Sequence, residues 1–344
     1  MLEIQEYVDI KNYSTLKIGG QFKYFAVISS IEDISQIYAI AQKDGRYKDT
    51  PIFILGGGSN IVFSDGVLNI LALKIEIKGF EIINETNEYT DIKIGAGEIW
   101  DEMVEKTVAM NLSGFEFLSA IPGTVGAGPV QNVGAYSIEV KDTLLEVEVF
   151  DTKENTIKSI SNKDCKFGYR NSIFKNEEKS RYIILRVSYR LSKFMPRLPD
   201  YPGVKKYFIE NNINIPTLSQ IRNAIINVRK EKLPNPKEIP NVGSFFENPV
   251  VSKDLADKIK REFTEAKFFP VNSSLTKIPA GWLIEKAGLK GKSFGSISVY
   301  DKNALVLINN GNATKEDLVK AKNEIVRIVE QKFGITLKQE PVML

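Results

Sequence analysis

The alternation of apolar and polar positions divides the chain into short strands and amphipathic helices. Residues 23–28, KYFAVI, read as a strand. Ser30 and Asp33 have the spacing of an N-cap and its N3 acid, and Ile34, Ile37, Tyr38 and Ala41 recur at helical spacing until Gly45. Residues 51–63, PIFILGGGSNIVF, give a short apolar strand, a glycine turn and a second apolar run. LALKIEI and DIKIGAG predict strands between residues 70 and 100. EIWDEMVEKTVAM, residues 98–110, predicts a helix with acids in its first turn and Ile99, Met103 and Val108 turned toward a core. TLLEVEVFD and YIILRVSYRL are strands joined through CKFGYRNSIF, so the middle of the chain reads as sheet-rich α+β.

Residues 193–216 carry four prolines and read as an excursion from the core. A helix follows from about Ser219 to Lys230, with Ile221, Ile225 and Val228 on one side. EKLPNPKEIPNVGSFFENP then marks a boundary, with four prolines and a glycine in nineteen residues. Beyond it, Ser252 caps a helix carrying Leu255 and Ile259, and AGWLIEKAG is a short helix closed by Gly288. SISVY and ALVLIN pair as strands. Thr314 and Asp317 open a helix that runs to Phe333 and stops at Gly334, with Leu318, Ala321, Ile325, Ile328 and Val329 as its stripe. ITLKQEPVML reads as a last strand. There is no internal repeat.

Two glycine-rich stretches break this pattern. Residues 113–136, SGFEFLSAIPGTVGAGPVQNVGAY, hold five glycines and two prolines, and Glu116 is their only charged residue. Either it is a plain surface loop, though such loops are richer in Lys, Asp and Glu, or it presents backbone N–H and C=O groups to a large polar ligand, which its composition favours. Gly56, Gly57, Gly58, Ser59 and Asn60 can form a nest of N–H groups around a pyrophosphate, or simply a tight hairpin turn. The stretch lacks G-x-G-x-x-G spacing and GK[ST], so it is neither the doubly wound dinucleotide fingerprint nor a P-loop.

Composition narrows the chemistry. A length of 344 residues suits two or three domains. The chain has no histidine, which removes His-based triads and His-ligated metals; no metal site is expected. Cys165 is the only cysteine, so there is no internal disulfide, and it reads as a small buried hydrophobe. A net charge of +3 from 46 basic and 43 acidic residues is too balanced for a nucleic-acid partner. No apolar run is long enough for a membrane span and no signal peptide opens the chain, so a cytoplasmic location is expected. Three clusters remain. Arg170, within Phe167–Ser172, suits two-point binding of a carboxylate, and Tyr169 beside it can hydrogen-bond or pack. Ser244 follows a glycine and precedes two aromatics; without histidine it is no ordinary hydrolase nucleophile, but it can hand over a proton. Glu340 lies near the end of the last strand.

Together the landmarks NYSTLKIGG, ILGGGSNIVFSDG, IGAGEIWDEM, SAIPGTVGAGPVQNVGAY, CKFGYRNSIFK, KLPNPKEIPNVGSFFENPVV, PAGWLIEKAGLKG, ALVLINNGNAT and QEPV resemble the UDP-N-acetylenolpyruvoylglucosamine reductases over nearly the whole chain. The resemblance implies an α+β fold with a two-part FAD-binding region of the vanillyl-alcohol-oxidase type and a C-terminal α+β substrate-binding domain. It implies domains at 1–69 and 70–230 for FAD, the second carrying a substrate loop near 193–216, then 231–330 for substrate and 331–344 as a strand bringing Glu340 to the active site. It implies non-covalent FAD on Gly56, Gly57, Gly58, Ser59, Asn60, Ser119, Pro122, Gly123, Thr124, Gly126, Ala127, Asn132, Gly134 and Ala135. Arg170, Ser244 and Glu340 would be catalytic. Tyr169, Arg170, Tyr201, Lys232, Asn248 and Lys290 would bind the nucleotide-sugar substrate, Tyr201 through the loop that a subset of the family carries. NADPH would supply the electrons, and the enzyme would be a monomer.

Overall fold

A computed structural model describes residues 2–47 and 49–344. The chain forms two units. The first comprises residues up to Val8, Phe22–Gly57 and Asn69–Arg229; the second comprises Asp9–Gln21, Gly58–Leu68 and Lys230–Leu344. The last crossing, after Arg229, lies one residue from the boundary expected at 230. Residues 9–21 and 58–68, expected with the first FAD-binding part, belong instead to the second unit. Burial explains this. Leu16, Ile18 and Val62 are fully enclosed in the same apolar cluster as Phe245, Phe246 and Leu283. The Asn309 side-chain amide also donates to the Leu16 carbonyl at 3.0 Å.

The first unit contains two sheets. One runs in the order Gln5–Asp9, Gln21–Ile28, Val67–Ile75, Ile52–Leu55, and its last two strands are parallel. The helix Ile31–Lys43 connects Gln21–Ile28 to Ile52–Leu55, and it is opened by a reciprocal capping box between Ser30 and Asp33 as its sequence predicts. The other sheet runs Thr156–Ser161, Leu144–Asp151, Tyr182–Ser192, Tyr89–Gly95, Phe80–Glu85, antiparallel throughout. Its edge strand Thr156–Ser161 falls between the two strands read from the sequence and has only weak alternation. One apolar cluster joins both sheets through Leu71, Leu73, Ile92, Ile94, Val147 and Val187.

The second unit has a four-stranded antiparallel sheet in the order Asn241–Ser244, Val306–Asn309, Ile297–Val299, Ser293–Phe294. The helix Lys315–Phe333 has the expected Thr314–Asp317 box and ends at Gly334 in the left-handed region. The last segment is not the strand expected over 335–344. Only Val342–Met343 is extended, and it pairs in parallel with Ile61–Val62. That pairing also means that the glycine turn after Ile52–Leu55 is not a hairpin, because Ile61–Val62 joins a different sheet.

Two further local expectations change. The proline-rich excursion contains the helix Pro202–Glu210, started by Pro202 at its first turn and anchored by buried Val204 and Phe208. Ile99, expected in the core, is the N-cap of the helix Trp100–Ala109 and is 41% exposed. Met103 and Val108 are buried as expected.

The start of that helix is tied to the helix Leu218–Lys232. Arg222 donates Nη1 and Nη2 to the two oxygens of Asp101 at 2.6 and 3.0 Å. Burial works against ionisation of Asp101, but Arg222 and the Ala120 amide outweigh it and hold the carboxyl below its ordinary range. R222M is expected to cost roughly 2–3 kcal/mol in urea unfolding, less than a fully buried pair because Asp101 keeps some solvent contact. A depressed acid stabilises fully above its unfolded value of about 4 and loses that contribution as pH falls through the lower folded value. R222M should therefore flatten the acid limb of the stability profile, and an unchanged limb would contradict the pairing.

Candidate active site

The two glycine-rich stretches meet within the first unit. A Cβ on Gly57 would lie 2.8 Å from the Gly123 Cα, and one on Gly56 would lie 3.0 Å from the Thr124 hydroxyl. Only glycine permits this approach. The N–H groups of Gly56, Gly57, Gly123 and Thr124 donate to no described residue. Four unspent donors on two touching loops are available to an anion such as a pyrophosphate. Gly58, Ser59 and Asn60 continue the turn into the second unit. There Gly58, at φ +63°, packs so closely on the Tyr13 carbonyl that no side chain fits.

The longer loop is laced to the strand end and helix start that precede it. The Trp100 amide donates to Gly123, and the Val125 and Gly126 amides donate to Glu98 and Ala96 at 2.9 Å each. The Trp100 indole N–H reaches the Leu118 carbonyl at 2.9 Å, and Asp101 Oδ1 accepts the Ala120 amide at 2.5 Å. Ser119 is buried and donates its hydroxyl to Glu116 O, so its side chain holds the loop. Burial raises the Glu116 carboxyl above its ordinary range, although amides including that of Gly114 pull the other way.

Asn132 is fully buried with φ +49°. Its side-chain amide donates to Glu139 Oε2 and the Gly168 carbonyl, and its Oδ1 accepts the Lys141 amide. The side chain thus joins the loop to the turn that carries Arg170. Gly134–Ala135 pairs with Ile138–Glu139 across a two-residue turn, Tyr136 and Ser137, both at positive φ. Arg170, at φ +53°, occupies a tight turn closed by Gly168 and Asn171. Its Nη2 donates to the Gly134 carbonyl at 3.2 Å, and Lys175 Nζ donates to its carbonyl at 2.9 Å. The cation is thereby set beside the loop. Tyr169 is exposed. Tyr201 caps the helix Pro202–Glu210 and meets Tyr136 edge-on at 4.9 Å.

In the second unit the structure brings Ser244 and Glu340 together along the backbone. Ser244 ends the strand Asn241–Ser244 just after Gly243, whose φ of +74° and irregular register turn the chain. The next residue, Phe245, accepts the Glu340 amide at 2.9 Å, and Glu247 donates to Lys338 at 2.9 Å. Beyond Glu340, Lys315 Nζ donates to the Leu344 carbonyl at 2.9 Å and to the Ser64 hydroxyl at 2.8 Å. The segment around Glu340 is therefore fixed on both sides. Asn248 Oδ1 caps the helix Ala280–Lys286 through the Ala280 amide, Lys290 pairs with Glu285 at 3.3 Å, and Lys232 ends its helix exposed.

Two supports give no signal in the sequence. Asp101 looks like an ordinary acid of a first helical turn and Lys315 like any helix cation; their partners lie 19 residues away or more. Cys165 is fully buried and its thiol is pushed up to about 12 by burial, which removes it as a nucleophile. Among the described residues no acidic or cysteine cluster can hold a metal.

Comparison with known proteins gives the same outline. A family profile described as FAD binding domain matches residues 22–160, and one described as UDP-N-acetylenolpyruvoylglucosamine reductase, C-terminal domain, matches residues 235–344. The chain is 41% identical to the UDP-N-acetylenolpyruvoylglucosamine reductase of Flavobacterium johnsoniae over 98% of its own length and 99% of the relative's. It is 39% identical to that of Bdellovibrio bacteriovorus, with 99% of each covered. A solved UDP-N-acetylenolpyruvylglucosamine reductase from Thermus caldophilus has the same fold, with TM-score 0.69 at 21% identity over 100% of this chain and 99% of that one. The residues of the two loops fit FAD. G57A, which forces backbone away from backbone, should purify with at least about tenfold less FAD while its far-ultraviolet circular dichroism is unchanged. Full flavin content in G57A would show that the contact of the loops does not matter to binding.

Proposed function

The chain belongs to the UDP-N-acetylenolpyruvoylglucosamine reductases, FAD-dependent oxidoreductases of peptidoglycan synthesis, and we propose on that footing that it reduces UDP-N-acetylglucosamine enolpyruvate to UDP-N-acetylmuramate with electrons from NADPH. The observation that carries the reading to the residues is the pairing of the Ser244–Phe245 segment with Glu340, inside the matched C-terminal domain.

The substrate is an enol ether with a carboxylate on its α-carbon. FAD, held without a covalent link, would take a hydride from NADPH and pass it to the terminal methylene carbon. Negative charge then moves onto the α-carbon and its carboxylate. Arg170 meets that charge as a permanent cation, fixed in its turn by Gly134 and Lys175. Glu340 assists if it is protonated or shares a proton through a hydrogen bond; a bare carboxylate would oppose the step. Ser244 delivers its hydroxyl proton to the α-carbon. The alkoxide left behind needs prompt reprotonation, and Lys232 is the cation we assign to help it. Tyr169, Tyr201, Asn248 and Lys290 bind the nucleotide sugar, Tyr201 at its diphosphate. For Asn248 this leaves the side-chain N–H₂, since its oxygen caps a helix; Lys290 must exchange Glu285 for the ligand.

Gly56–Asn60 and the residues of the 119–135 loop hold FAD in this reading, the four amide donors taking its diphosphate. The protein works as a cytoplasmic monomer without a nucleic-acid partner. Balanced charge supports the last of these. Among the described residues no helix is long and apolar enough to cross a membrane.

An anaerobic visible spectrum tests the reaction. The yellow protein should bleach with NADPH and recolour with the enolpyruvyl sugar nucleotide; bleaching without recolouring would remove the substrate. S244A separates the steps. Reduction by NADPH should keep its rate, and reoxidation by the substrate should slow by about 10²–10⁴, the range of a lost general acid. Equal rates in both half-reactions would remove the serine from its role.

A further inference from the structure

The segment that carries Glu340 is not held at its far end by packing. Upstream, Leu337 is buried and the Lys338 carbonyl accepts the Glu247 amide at 2.9 Å. Downstream, Pro341 is buried, but Val342 is 38% exposed and neither Met343 nor Leu344 is buried. Only Val342–Met343 pairs there, as one half of a two-stranded sheet with Ile61–Val62. A pairing of two residues is marginal in water by itself. Hydrogen bonds at its ends complete it. The Val342 amide donates to the Asn60 carbonyl at 3.1 Å and the Leu344 amide to the Val62 carbonyl at 2.9 Å. The Leu344 carbonyl accepts both the Ser64 hydroxyl at 2.6 Å and the Lys315 ammonium at 2.9 Å.

Lys315 is built into this junction. It opens the helix Lys315–Phe333, its own amide donates to Asp65 Oδ2 at 2.9 Å, and its Nζ also donates to the Ser64 hydroxyl at 2.8 Å. One residue therefore ties the helix start to the ends of both paired strands. Seven residues on, and so on the same face of the helix, Lys322 Nζ donates to Gln339 Oε1 at 3.1 Å, and Gln339 Nε2 donates to the Pro341 carbonyl at 3.2 Å. The helix thus grips the segment on either side of Glu340. Lys320 of the same helix differs, since it pairs only along the helix, with exposed Glu316. A group that must donate or share a proton tolerates little displacement, and a misplacement of about 1 Å can cost about 10²-fold in rate. We propose that Lys315 is a positioning residue that keeps Glu340 in register beside the Ser244–Phe245 segment. The proposal rests on the reading of Glu340 and Ser244 as catalytic.

The test compares flavin-loaded wild type with K315M, K315R, K320M and E340Q. Stopped-flow absorbance follows each half-reaction separately, and mass spectrometry follows hydrogen exchange of residues 337–344 without substrate. K315M should exchange the Val342 and Leu344 amides at least about tenfold faster than wild type. Its reoxidation by the enolpyruvyl substrate should slow by about ten- to a hundredfold while reduction by NADPH keeps its rate. K315R should recover most of both effects, because it still offers charged donors to Ser64 and Leu344. K320M should match wild type throughout. Equal slowing of the two half-reactions, or loss of FAD, would give Lys315 a structural role only and overturn the proposal. Slow reoxidation without faster exchange, or faster exchange at wild-type rates, would overturn it as well. E340Q separates this failure from that of the function. Slow reoxidation in E340Q beside a normal K315M leaves Glu340 in the reaction and removes only Lys315, whereas a wild-type rate in E340Q removes Glu340 and the proposal with it. If K315M does not fold, S64A decides: slowed reoxidation alone with faster exchange supports the proposal, and wild-type behaviour overturns it.

Discussion

The carboxylate of Asp101 is the constraint on which the first unit's site depends. It accepts the Ala120 amide from the glycine-rich loop and both arms of Arg222 from a helix more than a hundred residues later. A loop with this many glycines has high conformational entropy in the unfolded chain, and ordering it costs free energy at each position. Lacing to Ala96, Glu98 and Trp100 offsets that cost with backbone hydrogen bonds. Trp100, Phe115 and Tyr189, mutually in ring contact, provide an apolar floor beneath. Flexibility in sequence terms thus becomes a rigid surface of amides in structural terms.

Local chemistry was legible wherever the partners were close in sequence. The capping boxes at Ser30 and Thr314, the stop at Gly334 and the buried stripe Leu318, Ala321, Ile325 and Val329 follow from spacing alone. Pairings across long separations were not legible. Leu16, Ile18 and Val62 look like parts of short apolar runs, and nothing nearby says that they complete a core made of residues beyond 240. The 335–344 segment alternates well enough to suggest a strand, yet Pro341 and the capture of Glu340 by Phe245 leave only Val342–Met343 to pair. The family of the chain and its three candidate catalytic residues stood out as ordered landmarks. Their supports did not, because a buried Asp, Arg or Lys is written with the same letters as a solvated one.

A chain without histidine must divide proton and charge handling among groups that are weaker or more fixed. In the proposed reaction Arg170 would contribute charge that no ordinary pH removes, and Ser244 a proton that is always present but reluctant to leave. Position then matters more than acidity. The left-handed turn at Arg170 is a conformation that its residue type disfavours and surrounding hydrogen bonds enforce, whereas the left-handed position before Ser244 is occupied by Gly243, which adopts it freely.

The backbone passes between the two units five times, after residues 8, 21, 57, 68 and 229. Neither unit is therefore a contiguous stretch of gene, and the second cannot be completed until the residues after Arg229 have been made. Leu16, Ile18 and Val62 leave the ribosome long before Phe245 and Leu283 exist to cover them. At about 5–20 residues per second, those apolar side chains wait on the order of ten seconds or more. During that interval the nascent amino-terminal segment is sticky, and its fate belongs to chaperones and growth temperature as much as to the final fold.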